Sequence, residues 1–516
     1  MFITLRNRVL KALLLVACLI LLALRLSVPI NLTAVDIGRH IKNGELILSG
    51  HSQVLYKNFY SFTYPDYSFI NHHWLFGVIA YVVFQMGGFN GLAVSYIFLL
   101  VAAFFLAFDS ARRLSSFNFA LLLSGLSFLL LISRAEIRPE GVSVLFVALD
   151  FYLLQRYLQR SLGSRVLGIV IPVVQILWVN SHIFFFMGPL LIGVFLWQGG
   201  LAHENKQYVG FLRRLLLATI LVNLINPSGF WGMLTPVSGI KHFGYELAEN
   251  QSVFFMIKRM PQTIVYKYYL LTALLMAIGV LTALWRDRSK ALPMVLLGVF
   301  ITLAAFRAVR LIMPFGFLFI PLAAGYFAQF AKRRAVNLIC GAVGGASIIF
   351  FMFVGGLHPQ LGLMPRVNVS AEFFKQSGLK GPVFSNYDIG GYLIYHLQGQ
   401  EKVFVDNRQE AFPPDFFHNV YIPMQEDESV WRQKQSQYGF NVIYFYRHDI
   451  TPWGQDFLIK RIRDRQWAPV FVDDYAIIFV RRASIDQPVI DRYELPASLF
   501  RVVSNSNAGQ LKRNLI

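Results

Sequence analysis

The chain is poor in charge and in cysteine. Of 516 residues, 15% are charged and two are cysteine, whereas a soluble globular protein carries roughly 25% charged residues. Cys18 and Cys340 both fall inside apolar runs, which argues against a disulfide framework and a cysteine-based metal site. No nucleotide fingerprint is present, and the glycines of "NYDIGGYLIYH" lack the phosphate-loop spacing. No short repeat of the solenoid type stands out. Acidic residues are outnumbered by basic ones, 28 to 47, for a formal charge of +19. The basic residues cluster in short loops between apolar segments, a distribution that fits membrane topology and anionic lipid rather than nucleic acid.

What is present is apolar length. After a first run, "ALLLVACLILLAL", apolar segments are expected at about 74–86, 91–108, 117–133, 141–158, 165–180, 183–200, 211–226, 266–285, 291–306, 308–330 and 335–357. Runs of this kind read as transmembrane helices. Arg6, Arg8 and Lys11 precede the first run with no small-x-small cleavage site beside it, so an uncleaved anchor with a cytoplasmic N-terminus is expected. Arg25 and Pro29 mark its outer end, where Arg25 can snorkel. Basic clusters at Arg156–Arg165, Lys206–Arg214, Arg286–Lys290 and Lys332–Arg334 then belong to the cytoplasm. Polar loops at about 30–73 and 227–265 and the C-terminal domain fall outside. These twelve runs conflict with the odd number that this topology needs. The conflict lies at 72–108, around "GGFNG", so 11 or 13 crossings are expected. The expected architecture is a polytopic α-helical membrane module over residues 1–360, followed by an extracytoplasmic α/β domain over 365–516. In that domain "KGPVFSNYDIGGYLIYHL", "KVFVDNRQE", "NVIYFYRHD" and "PVFVDDYAIIFVRR" read as short strands between polar segments.

The first loop gathers polar side chains where the first run ends. In "TAVDIGRHIKN" a helix would bring Asp36, Arg39, His40 and Asn43 to one face. Thr33-x-x-Asp36 resembles a capping box, in which Asp36 only satisfies open N–H groups. At the outer mouth of a membrane cavity, the same carboxylate can take a proton from an acceptor hydroxyl. Arg39 and His40 would then hold a phosphate or orient the acid.

The run "DIGRHIKNGELIL", followed by "YSFTYPD" and "NHHWLF", resembles the first external loop of bacterial membrane glycosyltransferases of the GT-C superfamily. "ILWVNSHIFFFMG" and "KVFVDNRQEAF" extend the resemblance over essentially the whole chain. The resemblance implies a multi-pass enzyme of the bacterial inner membrane with its site on the extracytoplasmic side. It further implies a polyprenyl-phosphate-linked sugar as donor, a glycan, lipid or protein as acceptor, and a first-loop acid, here Asp36, as catalytic base. The family often has an acid directly before the Trp-Leu pair, where this chain has His73. No second acid makes an Asp-x-Asp pair with Asp36, so no cofactor is implied and the case for a bound divalent metal is weakened without being closed.

Other polar groups have two readings each. His72 and His73 before Trp74 are interfacial belt residues, or they assist Asp36 or bind substrate hydroxyls; two adjacent histidines point to different sides of a helix and make no joint metal site. "SRAEIRPEG" offers Arg134, Glu136, Arg138 and Glu140 for salt-bridged packing, with Arg138 as the residue that would reach a lipid phosphate. Asn180 and His182 of "WVNSHIF" would line the site, since polar groups beside lipid face the protein interior. Arg307 and Arg310 either meet one phosphate, which guanidinium suits, or snorkel into head groups. Lys241, His242, Glu246 and Glu249 belong to a loop able to cover a cavity. Asp406 and Arg408 read as a pair that ties a loop down. A non-catalytic membrane scaffold and a lipid or glycan transporter are the alternatives to an enzyme.

Overall fold

The computed structural model describes the chain apart from residues 1, 202–205, 239–243, 355, 484–485, 508–509 and 516; the statements below concern the described residues. Inside a bilayer the backbone must satisfy its own N–H and C=O groups, and the apolar runs accordingly become helices. Eight are long and apolar enough to cross a membrane: Asn7–Leu26, Trp74–Leu114, Glu140–Leu158, Ile183–Leu201, Ile264–Arg286, Arg288–Arg307, Val309–Tyr326 and Arg334–Phe353. Phe117–Leu131 and Ser164–Val179 are apolar but shorter. The protein is a multi-pass helical membrane protein.

The ambiguous stretch at 72–108 falls mostly in Trp74–Leu114. Its 41 residues would make a rod of about 60 Å, twice the hydrocarbon thickness of a bilayer. The rod is broken at Gly88, whose φ of 58° and ψ of −153° are accessible in practice only to glycine. A division into two compact units falls at the same residue: Met1–Val28, Phe89–Gly239 and Glu246–Leu361 form one, and Pro29–Gly88, Ile240–Tyr245 and Gly362–Ile516 the other.

The first unit is the helical one. Phe117–Leu131 starts at Ser116, whose Oγ accepts the Phe119 N–H at 3.2 Å, and its Ser127 donates to the Gly316 carbonyl at 2.8 Å. Arg25 does more than reach the interface. It donates to the Phe351 and Val354 carbonyls at the end of Arg334–Phe353, where helix C-termini leave acceptors open.

The second unit holds an α/β fold. Strands β1 (Val383–Ser385), β2 (Val442–Tyr446), β3 (Trp467–Val472) and β4 (Ala476–Arg481) form a sheet in the order β1-β2-β4-β3. β1 and β2 are parallel, with Val383 opposite Val442, and the other pairs are antiparallel. "KVFVDNRQE" differs from the expected strand. Val403 makes isolated bridges to Ser61 and Val383, because its backbone is taken up by Tyr60 and Phe62 of the first loop. The helix Ile37–Leu48 comes very close to the start of Trp74–Leu114. A Cβ at Gly44 would lie 2.2 Å from the Gly77 carbonyl, so only glycine permits this packing.

Candidate active site

Helix Ile37–Leu48 buries Arg39, His40 and Asn43 on one face, as the four-residue spacing predicts. Asp36 stands at the N-cap position, but its side chain caps no helix N–H, and Thr33 Oγ1 donates to Asn31 at 2.6 Å instead. The capping-box reading is therefore corrected: Thr33 lies in a preceding turn and is engaged there. The Asp36 carboxylate is held differently. One oxygen accepts the Asn407 amide N–H, and the other faces the Arg39 guanidinium at 3.4 Å. Arg39 Nε donates to Asn407 Oδ1 at 3.0 Å, closing a triangle. The Asp36 side chain remains 26% exposed where that of Arg39 is 4% exposed, so the carboxylate keeps an open side.

Beneath this triangle lies a closed polar layer. Asn43 accepts from the Tyr60 hydroxyl at 2.6 Å, and burial pushes the Tyr60 phenol up. Arg408 lies over the Tyr60 and Phe69 rings at 5.1 and 4.9 Å. Two of its nitrogens meet Asp406, each at 2.7 Å, and one donates to Asn58 at 2.8 Å. Burial works against the Arg408 charge, and Asp406 more than restores it. Through Asn58 and the Tyr60 and Phe69 rings, Arg408 ties the 406–408 loop to the first loop. Asn407, between Asp406 and Arg408 in sequence, turns the other way and touches Asp36.

The histidines gather nearby in the same unit. The His40 ring meets His73 at 5.6 Å and Phe76 at 5.0 Å. His72 and His73 pack 4.1 Å apart, contrary to the expectation that they point to different sides. They occupy the turn before Trp74, where helical spacing does not apply.

In the helical unit, three arginines converge on Glu249. Arg134 lies 2.8 Å, Arg138 3.4 Å and Arg310 3.8 Å from its carboxylate. Arg134 also pairs with Glu140 at 2.6 Å, so the group carries one net positive charge. Burial alone would raise the Glu249 carboxyl, but the guanidinium groups of Arg134, Arg138 and Arg310 hold it well below the usual range. Arg307 takes a different partner, the Asn250 carbonyl at 3.2 Å, and does not share an anion with Arg310. His182 Nδ1 lies 2.8 Å from Ser143 Oγ, which accepts the Trp178 indole N–H at 2.7 Å. Asn180 donates to the Ile176 and Ile225 carbonyls, a structural tie. An apolar cavity of about 60 Å³ is lined by Ser143, Val144, Phe184, Phe300 and Leu311, and Arg310 sits over the Phe184 ring at 5.6 Å.

Lys241 and His242 lie outside the described residues, and Glu246 accepts from Gln251 at 2.9 Å. Sequence reasoning missed Asn407, although five polar residues in a row, Asp406 to Glu410, beyond an apolar stretch were a signal. It assigned no role to Glu249, whose signal was an excess of arginine in the loops around it. It also passed over Asp150, fully buried halfway along Glu140–Leu158, with both carboxylate oxygens unpartnered among the described residues.

No protein-family model and no curated protein matches the sequence. Solved structures are similar in fold. The Archaeoglobus fulgidus oligosaccharyltransferase in its apo form has a TM-score of 0.57 at 11% identity, over 84% of this chain and 69% of that one. The same enzyme tethered to an acceptor peptide containing the NVT sequon gives 0.57 at 10% identity, over 98% and 74%. ArnT from Cupriavidus metallidurans bound to undecaprenyl phosphate gives 0.50 at 14% identity, over 92% and 98%. The chain shares its fold with these solved structures.

Proposed function

We propose that the protein is a glycosyltransferase of the bacterial inner membrane, moving a sugar from a polyprenyl-phosphate-linked donor to an acceptor hydroxyl on the extracytoplasmic side. Asp36 acts as general base. The acceptor O–H proton passes to its carboxylate, the new bond forms to the anomeric carbon, and the carbon–oxygen bond to phosphate breaks. The electron pair leaves on the phosphate, which guanidinium groups can stabilise. Arg39 and Asn407 orient the base, and His40, His72 and His73 serve the acceptor side. Arg138 and Arg310 are the phosphate ligands, with His182 held by Ser143 beside the apolar cavity.

The observation that carries this reading is the Asp36 carboxylate. It stands at a helix start, declines the cap, and is aimed by Asn407 and Arg39 while partly open. The fold it shares with an oligosaccharyltransferase and with an undecaprenyl-phosphate-bound protein supports a lipid-linked donor. In the test, purified protein is given a polyprenyl-phosphate sugar and candidate acceptors. Asp36→Asn should lower turnover by about 10²–10⁴-fold with an unchanged unfolding midpoint; full activity would remove the base assignment.

A second reading, a lipid or glycan transporter, draws on Asp150, since ionisable groups inside a membrane commonly mark transport paths. Lipid translocation in proteoliposomes that Asp150→Asn abolishes and Asp36→Asn leaves intact would favour it.

A further inference from the structure

A second cavity, of about 250 Å³, opens in the helical unit, far larger than the roughly 10–15 Å³ that one water needs. It lies at the end of the helices away from Glu249. In Glu140–Leu158, Glu140 pairs with Arg134, while Gln155 lines the cavity about 22 Å further along at 1.5 Å per residue. Arg288–Arg307 and Val309–Tyr326 give the same polarity, with Lys290 and Tyr326 at the cavity and Arg307 and Arg310 at the opposite ends. Phe151 and Phe195 supply apolar wall, and Arg286 and Lys290 stand exposed at the edge. Asp287, also at the edge, is engaged in capping: its carboxylate accepts the Lys290 N–H at 3.2 Å and the Ser289 hydroxyl at 3.0 Å. Its ion pair with Lys290 is a loose 3.6 Å, and the edge keeps a net positive charge.

Two buried acceptors give the cavity its chemistry. Gln155 donates its amide to the Ser110 carbonyl at 3.0 Å, and its Oε1 meets no described donor. Gln198 Oε1 is likewise buried and unmatched. A ligand suited to this cavity brings an anion for Arg286 and Lys290, hydrogen-bond donors for the two glutamines, and hydrocarbon for the walls. Basic pockets between transmembrane helices on the cytoplasmic side are suited to phospholipid head groups, and Arg286–Lys290 is one of the clusters that the charge rule assigns there.

We propose that this cavity binds an anionic glycerophospholipid whose head group carries hydroxyls, with its phosphate at Arg286 and Lys290 and its hydroxyls donating to Gln155 and Gln198. The site is separate from the one assigned to sugar transfer, and either can fail without the other. Delipidated full-length protein in detergent is titrated with phosphatidylglycerol, phosphatidic acid, phosphatidylcholine and inorganic phosphate, followed by native mass spectrometry and thermal unfolding. Phosphatidylglycerol should bind about tenfold more tightly than phosphatidylcholine and raise the midpoint. The double variant Arg286→Ala with Lys290→Ala should erase that preference, and its exposed positions leave folding intact. Gln198→Leu should keep the preference over phosphatidylcholine and bring phosphatidylglycerol down to the level of phosphatidic acid. Equal binding of phosphatidylcholine, phosphatidylglycerol binding unaffected by the double variant, or equal stabilisation by inorganic phosphate would each overturn the proposal.

Discussion

Asp36 and Glu249 are both carboxylates set against arginine, and they differ in how many guanidinium groups each must answer. Asp36 shares one arginine at 3.4 Å and a neutral amide, so its negative charge is oriented without being used up. Glu249 faces three arginines, and the surplus there is positive. A carboxylate in the first setting can accept a proton; arginines in the second can accept an anion. Asp406 makes the contrast sharper from inside the same loop as Asn407. Fully buried and bound bidentately by Arg408, it has no capacity left for chemistry.

The largest expected effects separate Asp36 from Asp406. Asn407→Ala removes the amide that aims Asp36, and turnover should fall roughly tenfold to a hundredfold through kcat rather than KM, as expected for misplacement of a reacting group. A pure KM effect would assign Asn407 to substrate binding. Arg408→Ala strands the buried Asp406, and breaking such a pair costs about 3–5 kcal/mol. Loss of the cooperative unfolding transition, or a strongly lowered midpoint, is the readout, and a variant as stable as the parent would reverse the assignment. Glu249→Gln should tighten binding of undecaprenyl phosphate about tenfold, the size of one competing charge contact; weakened binding would make Glu249 a structural partner only. The sign of its pH dependence follows from the lowered carboxyl. Stability from this cluster is present above the ordinary carboxylate value of 4.5 and is lost as pH falls through the folded-state value. The midpoint of the parent should therefore drop more steeply in acid than that of Glu249→Gln. The smallest effect concerns Asp150. Replacing a buried acid without a partner by Leu should raise stability by about 1–3 kcal/mol, seen as a higher midpoint; a marked fall would mean that Asp150 holds a ligand or a partner.

Much of the fold was legible in the sequence because lipid imposes simple rules. The runs expected at 266–285, 291–306 and 335–357 correspond to helices Ile264–Arg286, Arg288–Arg307 and Arg334–Phe353, since twenty apolar residues have few other options in a bilayer. The "GGFNG" ambiguity was also legible as a place of trouble, and Gly88 is where the helix breaks. The site was legible in part. Four-residue spacing put Arg39, His40 and Asn43 on one face, and Asp406 and Arg408 form the ion pair that was expected. Spacing failed for His72 and His73, which precede their helix, and for Arg307 and Arg310, which are three apart but lie in a helix end and a separate turn.

By itself the sequence determined the long apolar helices and their membrane character, because hydrophobic length and glycine breaks act over a few neighbouring positions. Tertiary structure alone decided which polar groups meet. Asn407 reaches Asp36 across 371 positions of chain, and Glu249 gathers Arg134 and Arg138 from one segment and Arg310 from another. Such encounters follow from the packing of whole elements, and the charge left over at each carboxylate depends on that packing.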